Sequence, residues 1–70
     1  MEYFELKGEF IALNDLLRNV GIADSGGQGK AMVGEGLVTV DGAIELRKTA
    51  KIRSGQVVEC AGQTIQIVQN

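Results

Sequence analysis

The spacing of apolar and polar residues changes several times along this chain, and each change marks an element. From Glu2 to Leu6 the two kinds alternate, with Phe4 and Leu6 on one side and Tyr3 and Glu5 on the other, which predicts a strand. Lys7-Gly8-Glu9 reads as a turn, and Phe10-Ile11 as a short second piece of strand. Leu13, Leu16, Leu17 and Val20 then fall at i, i+3, i+4 and i+7, one apolar stripe at helical period. Asn14 is the expected N-cap. Asp15 lies in the first turn and Arg18 in the last, where the helix dipole favours their charges. Gly21 is the expected stop.

The stretch from Ser25 to Gly42 organises the rest of the chain. Asp24 or Ser25 can cap a second helix over roughly 27–35. Gly29 and Gly34 would each cost it about 1 kcal/mol against alanine, so the packing of Met32 and Val33, with Ala31 close by, has to hold it. Gly36 ends it. Val38 and Val40 point inward and Thr39 outward. Asp41-Gly42 is a strong signal for a type I′ hairpin turn. Residues 43–46 form the return strand, 47–51 a loop or irregular strand, and 52–56 a turn. Val57-Val58-Glu59-Cys60 is a strand, Ala61-Gly62-Gln63 a second hairpin turn, and 64–68 alternates again. The order predicts an α+β domain, two helices on one side of a small, mostly antiparallel sheet.

Seventy residues make one domain, 1–70. A chain this short buries only about 60% of its unfolded surface. With one tyrosine, two phenylalanines and no tryptophan, the core has to be aliphatic. One cysteine, Cys60, excludes an intrachain disulfide, and with no histidine a zinc site has almost no ligands left. Cys60 sits in an apolar strand and reads as a small core residue. No apolar run is long enough to span a membrane, and the acidic start is not a signal peptide, so a cytoplasmic location is expected. Without a histidine or a Ser/His or Cys/His pair, the expectation is a protein that is not an enzyme and takes no cofactor or metal.

Charge changes the picture. The net charge of −2 disfavours a polyanion partner, but its distribution favours one. Between Glu45 and Arg53 stand Arg47, Lys48, Lys51 and Arg53 against Glu45 alone, a local +3 that leaves about −5 elsewhere. Such segregation marks a face. The glycine-rich opening of the second helix is not a Walker A loop, because Asp24 and Ala31 stand where glycine and Ser/Thr are required. No dinucleotide fingerprint follows a strand. Gly26-Gly27-Gln28 also occurs in peptide-release factors, but three residues carry no such assignment. Two readings stay open for the opening: unpaired N–H groups with Lys30 nearby as an anion site, or a tight helix–helix connection. The basic run likewise reads as a phosphate-binding surface or as a solvated face.

Taken together, Gly21 to Lys30, then Val33, then Gly36-Leu37-Val38-Thr39-Val40-Asp41-Gly42, then Arg47-Lys48 and Lys51-Ile52-Arg53-Ser54-Gly55-Gln56-Val57-Val58, resemble the S-four-type RNA-binding domain. The resemblance runs from about Leu13 to Glu59. It implies two helices packed on a short curved sheet, the αL RNA-binding motif, in a small stand-alone bacterial protein. It also implies non-catalytic binding of structured RNA, ribosomal or transfer, across the second helix and the loop after it. Lys30, Arg47, Lys48, Lys51 and Arg53 match the family's binding surface, with Gly26 and Gly27 at the helix opening and Arg18 at a common basic position. The chain departs from the family at Gly29, where alanine is frequent, at Asp41, where asparagine is usual, and at Gly26, where many members carry arginine. The alternative role is a protein–protein module docking on a ribosome-associated or RNA-processing partner. A monomer is expected. A sulfur-relay carrier is set aside because the chain ends Ile-Val-Gln-Asn and not Gly-Gly.

Overall fold

The computed structural model describes residues 1–69. The elements run β1 (Glu2–Leu6), β2 (Ile11–Ala12), α1 (Leu13–Asn19), α2 (Gly26–Gly34), β3 (Val38–Val40), β4 (Ala43–Ile44), β5 (Lys51–Ile52), β6 (Val57–Cys60) and β7 (Gln63–Gln69). Five strands make one sheet in the order β1-β7-β6-β3-β4, and β2 pairs with β5 in a separate two-stranded ribbon. All pairings are antiparallel except β1 with β7, which run parallel with Phe4 opposite Ile67. The α+β architecture of two helices and a mostly antiparallel, mixed sheet is the one expected.

One aliphatic core joins helices and sheet. Leu13, Leu16 and Leu17 of α1 and Val33 of α2 pack with Val38, Ile52, Val58, Cys60, Ile65 and Ile67. The helical stripe read from the sequence therefore faces the sheet. Cys60 is a core residue, as expected, and burial pushes its thiol pKa up.

Both helices stop as predicted. At the end of α2, Gly36 takes φ of +77° and donates to the Val33 carbonyl, while Leu37 donates to that of Met32. These two hydrogen bonds satisfy carbonyls that would otherwise lack donors. Gly21 and Ile22 end α1 in the same way. The β3–β4 turn has positive φ at both Asp41 (+51°) and Gly42 (+86°).

Three expectations are corrected. Asn14 is not the N-cap of α1; Ala12 occupies that position with no side-chain bond, and Asn14 lies inside the helix and is buried. The cap comes from far along the chain, because the Leu13 N–H donates to the Ala50 carbonyl (2.9 Å) and the Asn14 N–H to that of Lys48 (3.2 Å). The return strand β4 stops at Ile44, two residues earlier than expected. Ile52 is not part of a turn but pairs with Ile11 and is buried; the turn begins after it, at 53–56.

Candidate nucleic-acid interface

Helix α2 owes its placement to its glycines. A Cβ at Gly29 would stand 2.7 Å from the Asn14 carbonyl oxygen, so only glycine lets α2 lie this close to α1. Gly29 and Val33 form the buried side of α2. Lys30 is therefore turned outward, and Gly34 lies one turn beyond it on the same side. Against Gly34 runs the side chain of Lys48; a Cβ there would meet Lys48 Cε at 3.0 Å and Nζ at 3.7 Å. Lys30 and Lys48 thus share the exposed side of α2.

The loop carrying Lys48 is fixed from behind. The Lys48 and Ala50 carbonyls are the acceptors for the first N–H groups of α1. The backbone faces inward there, and Arg47, Lys48 and Thr49 are exposed. Arg47 makes a two-pronged pair with Glu45, Nε to Oε2 at 3.1 Å and Nη2 to Oε1 at 3.0 Å. The Arg47 side-chain hydrogen bond, with help from its backbone N–H and its charge, pulls the Glu45 carboxyl from 4.5 to about 2. Arg47 is thereby neutralised locally, though its side chain remains 80% exposed.

Lys51 and Arg53 lie on the β2–β5 side. Both stand over Phe10, with Lys51 Nζ 5.0 Å and the Arg53 guanidinium carbon 5.8 Å from the ring centre. The Arg53 backbone is held by Gln56, whose Oε1 accepts from its N–H at 2.8 Å. Gln56 also accepts at its carbonyl from Ile67, which pins this turn to β7. A hollow of about 500 Å³ lined by Arg47, Thr49, Ala50 and Lys51 connects the two basic groups.

The opening of α2 is more occupied than the sequence suggests. Ser25 Oγ accepts from the Gln28 N–H at 3.1 Å, and Gln28 Oε1 reaches back to the Asp24 N–H. Asp15 Oδ1 lies about 4.0 Å from where a Gly26 Cβ would be, so a carboxylate already sits near the positive helix end. Arg18 faces that carboxylate at 3.9 Å. The cations do not gather at the helix opening. Lys48 lies at the far end of α2, Lys51 and Arg53 lie around Phe10, and Arg18 stands with Gly26 near Asp15. Gly27 is exposed, with open space around it apart from Ser25.

Among the described residues Asp41 enters no ion pair. Its Oδ1 accepts from the Val57 N–H at 2.9 Å, which locks the β3–β4 turn to β6. Sequence reasoning missed Phe10 and the three exposed apolar residues Leu37, Ile44 and Leu46. The Ile44 and Leu46 side chains approach Gly36 to 3.9 Å from where a Cβ would be. The signal for Phe10 was its position: it interrupts an otherwise polar connection. Among the described residues no group of three or more His, Cys, Asp or Glu could hold a metal, and no helix is long and apolar enough to cross a membrane.

Residues 4–68 match the S4 domain. The chain belongs to the S4 domain family. Within it, the chain is 47% identical over 62 residues to the "Putative RNA-binding protein YbcJ" of Escherichia coli (strain K12), covering 89% of each chain. The "Uncharacterized protein YbcJ" of Shigella flexneri matches to the same extent. The solution structure of the Escherichia coli protein, described as revealing an αL motif involved in RNA binding, superposes with a TM-score of 0.74 at 46% identity. That match covers 97% of this chain and 87% of that one. The 30S ribosomal protein S4e of Thermoplasma acidophilum shares the fold, with a TM-score of 0.67 at 24% identity over 83% of this chain and 31% of that one. The S4 domain here is thus the αL arrangement that the resemblance implied.

Proposed function

We propose that this S4-domain protein binds structured RNA, ribosomal or transfer, without catalysing a reaction on it. Phosphates lie along the outer side of α2 and the loop after β4. The observation that carries this is the placement of Lys48 along Gly34, which puts two ammonium groups, its own and that of Lys30, on one helix side. Among the described residues neither enters an ion pair. Lys51 in the hollow below the loop and Arg53 beside Phe10 extend the positive surface, and Arg47 lines the hollow with its charge offset by Glu45. Gly26, Gly27 and Arg18 lie at the other end of α2, beside the Asp15 carboxylate, and would contribute there only as a separate, weaker contact. The RNA-binding name of the Escherichia coli relative supports the same reading.

Lysines and arginines that neutralise phosphates release counterions, so affinity falls with salt by a log–log slope of about −0.9 per contact on a duplex. Four contacts give a slope of about −3.6. Fluorescence anisotropy with a labelled RNA hairpin between about 50 and 200 mM salt reads that slope. Lys30→Ala and Lys48→Ala are expected to flatten it by about 1 each and leave the fold intact. A Lys30→Glu, Lys48→Glu double variant that bound the hairpin as tightly as the parent would overturn the assignment.

A second reading rests on Leu37, Ile44 and Leu46, exposed beside Gly36 at the end of α2. They border the basic side and give a protein partner an apolar anchor, in line with a docking module for a ribosome-associated or RNA-processing protein. A gel shift against bulk cellular RNA separates the two readings: retention that weakens with salt supports the first, and no retention at low salt supports the second.

A further inference from the structure

Phe10 is the aromatic ring that neither the core nor the sheet accounts for. Phe4 packs on the core, and Tyr3 belongs to the outer side of β1. Phe10 precedes β2 and is 42% exposed, yet it is not loose. Two cations lie over its ring, and one of them, Arg53, also donates from Nη1 to the Glu9 carbonyl at 3.5 Å. Ring and cations are therefore held as one cluster, and Phe10, Lys51 and Arg53 are all exposed.

Two hollows flank this cluster, one lined in part by Phe10 and the other by Lys51. One, about 310 Å³, is lined by the apolar Phe4, Leu6, Phe10 and Ile11 and by the charged Glu5 and Lys7. The other is the basic hollow lined in part by Arg47 and Lys51. Lys51 lines the second and stands over a wall of the first, so the two adjoin. The chemistry of the pair is that of a nucleotide. Flat apolar area with an aromatic face suits a base, and the cations beside it suit the phosphate. Glu5 keeps a phosphate out of the apolar side. Unpaired RNA bases are characteristically held by stacking on aromatic rings or guanidinium planes.

We infer that Phe10, together with Arg53 and Lys51, is a stacking site for one unpaired nucleobase of the bound RNA, with the adjoining phosphate in the hollow beside Arg47 and Lys51. The site builds on the RNA-binding reading above and adds recognition of a nucleotide outside the duplex. A blunt stem keeps its bases stacked inside and cannot fill it.

The test uses the full chain and two RNA hairpins, one blunt and one with a short single-stranded 3′ tail carrying 2-aminopurine. Wild-type protein is expected to bind the tailed hairpin more tightly and to change the 2-aminopurine emission on saturation. Phe10→Leu keeps apolar bulk at a half-exposed position and removes the ring. It is expected to lose roughly fivefold to a hundredfold in affinity for the tailed hairpin, with the blunt one unchanged. Phe10→Leu binding both hairpins like wild type, or saturated wild type leaving the emission unchanged, overturns the stacking site. In that case weakening of both hairpins by Lys48→Ala still upholds the phosphate-binding reading. Failure of wild type to bind either hairpin overturns both.

Discussion

At the scale of single residues, glycines of one helix have opposite roles. Gly29 is required by the closeness of α1, because a methyl group there would meet the Asn14 carbonyl at 2.7 Å. Gly29→Ala gains about 1 kcal/mol in helix propensity and loses about 1–3 kcal/mol to overpacking. Urea denaturation is expected to show a net loss of stability. Gly27 has only Ser25 Oγ near its virtual Cβ, at 3.8 Å, so Gly27→Ala is expected to raise stability by about 0.5 kcal/mol in the same experiment. Ala61 makes a comparable case. It sits at φ of +54° in the β6–β7 turn, followed by Gly62 at +78°. A left-handed alanine costs roughly 1–2 kcal/mol, and asparagine tolerates that region better. Ala61→Asn is expected to raise the denaturation midpoint, with an unchanged dependence on urea concentration.

At the scale of elements, the loop after β4 combines three functions: it caps α1, carries Lys48 against α2, and holds Arg47 against Glu45. The pair is a local brake on Arg47. Glu45→Gln is expected to free that guanidinium, tighten binding to the RNA hairpin several-fold, and steepen the salt slope by about 0.9. The carboxyl's depressed pKa also gives the sign of its pH dependence. Whatever the pair contributes to loop order is present above the ordinary carboxylate value of 4.5 and is lost as pH falls toward about 2. An NMR titration following the Arg47 side-chain NεH signal is expected to shift over that acid window and stay flat from pH 5 to 8. Much of this scale was legible in the sequence. The Leu13-to-Val20 stripe, the glycine stops, the Ser25 cap and the Asp41-Gly42 turn are all local, and local spacing encodes them. The cap of α1 was not, because its acceptors lie more than thirty positions away in Lys48 and Ala50. Asn14 has a side chain suited to a cap, but the helix begins one residue before it. The β2–β5 ribbon was missed for a related reason: two paired residues leave no periodicity to read.

At the scale of the molecule, the chain's first and last strands lie side by side, with Glu2 opposite Ile65 and Leu6 opposite Gln69. β1 covers one edge of β7 and contributes Leu6 to the core. A chain starting at Gly8 is expected not to fold, seen as loss of the far-ultraviolet circular dichroism of the parent, because the core strand β7 would be left as an open edge. The distribution of charge was legible as a run of residues, but its convergence was not. Lys48 can lie along the side of α2 that carries Lys30 only because Gly34 leaves room for a lysine stem, and Lys51 and Arg53 reach Phe10 only through the ribbon. The carbonyls of Lys48 and Ala50 that bond α1 have a last consequence. A loop tethered at its spine has little freedom left to surrender when a ligand arrives, so association should be quick and nearly free of rearrangement. Its arrival should be felt by the amides of Leu13 and Asn14, which no ligand touches.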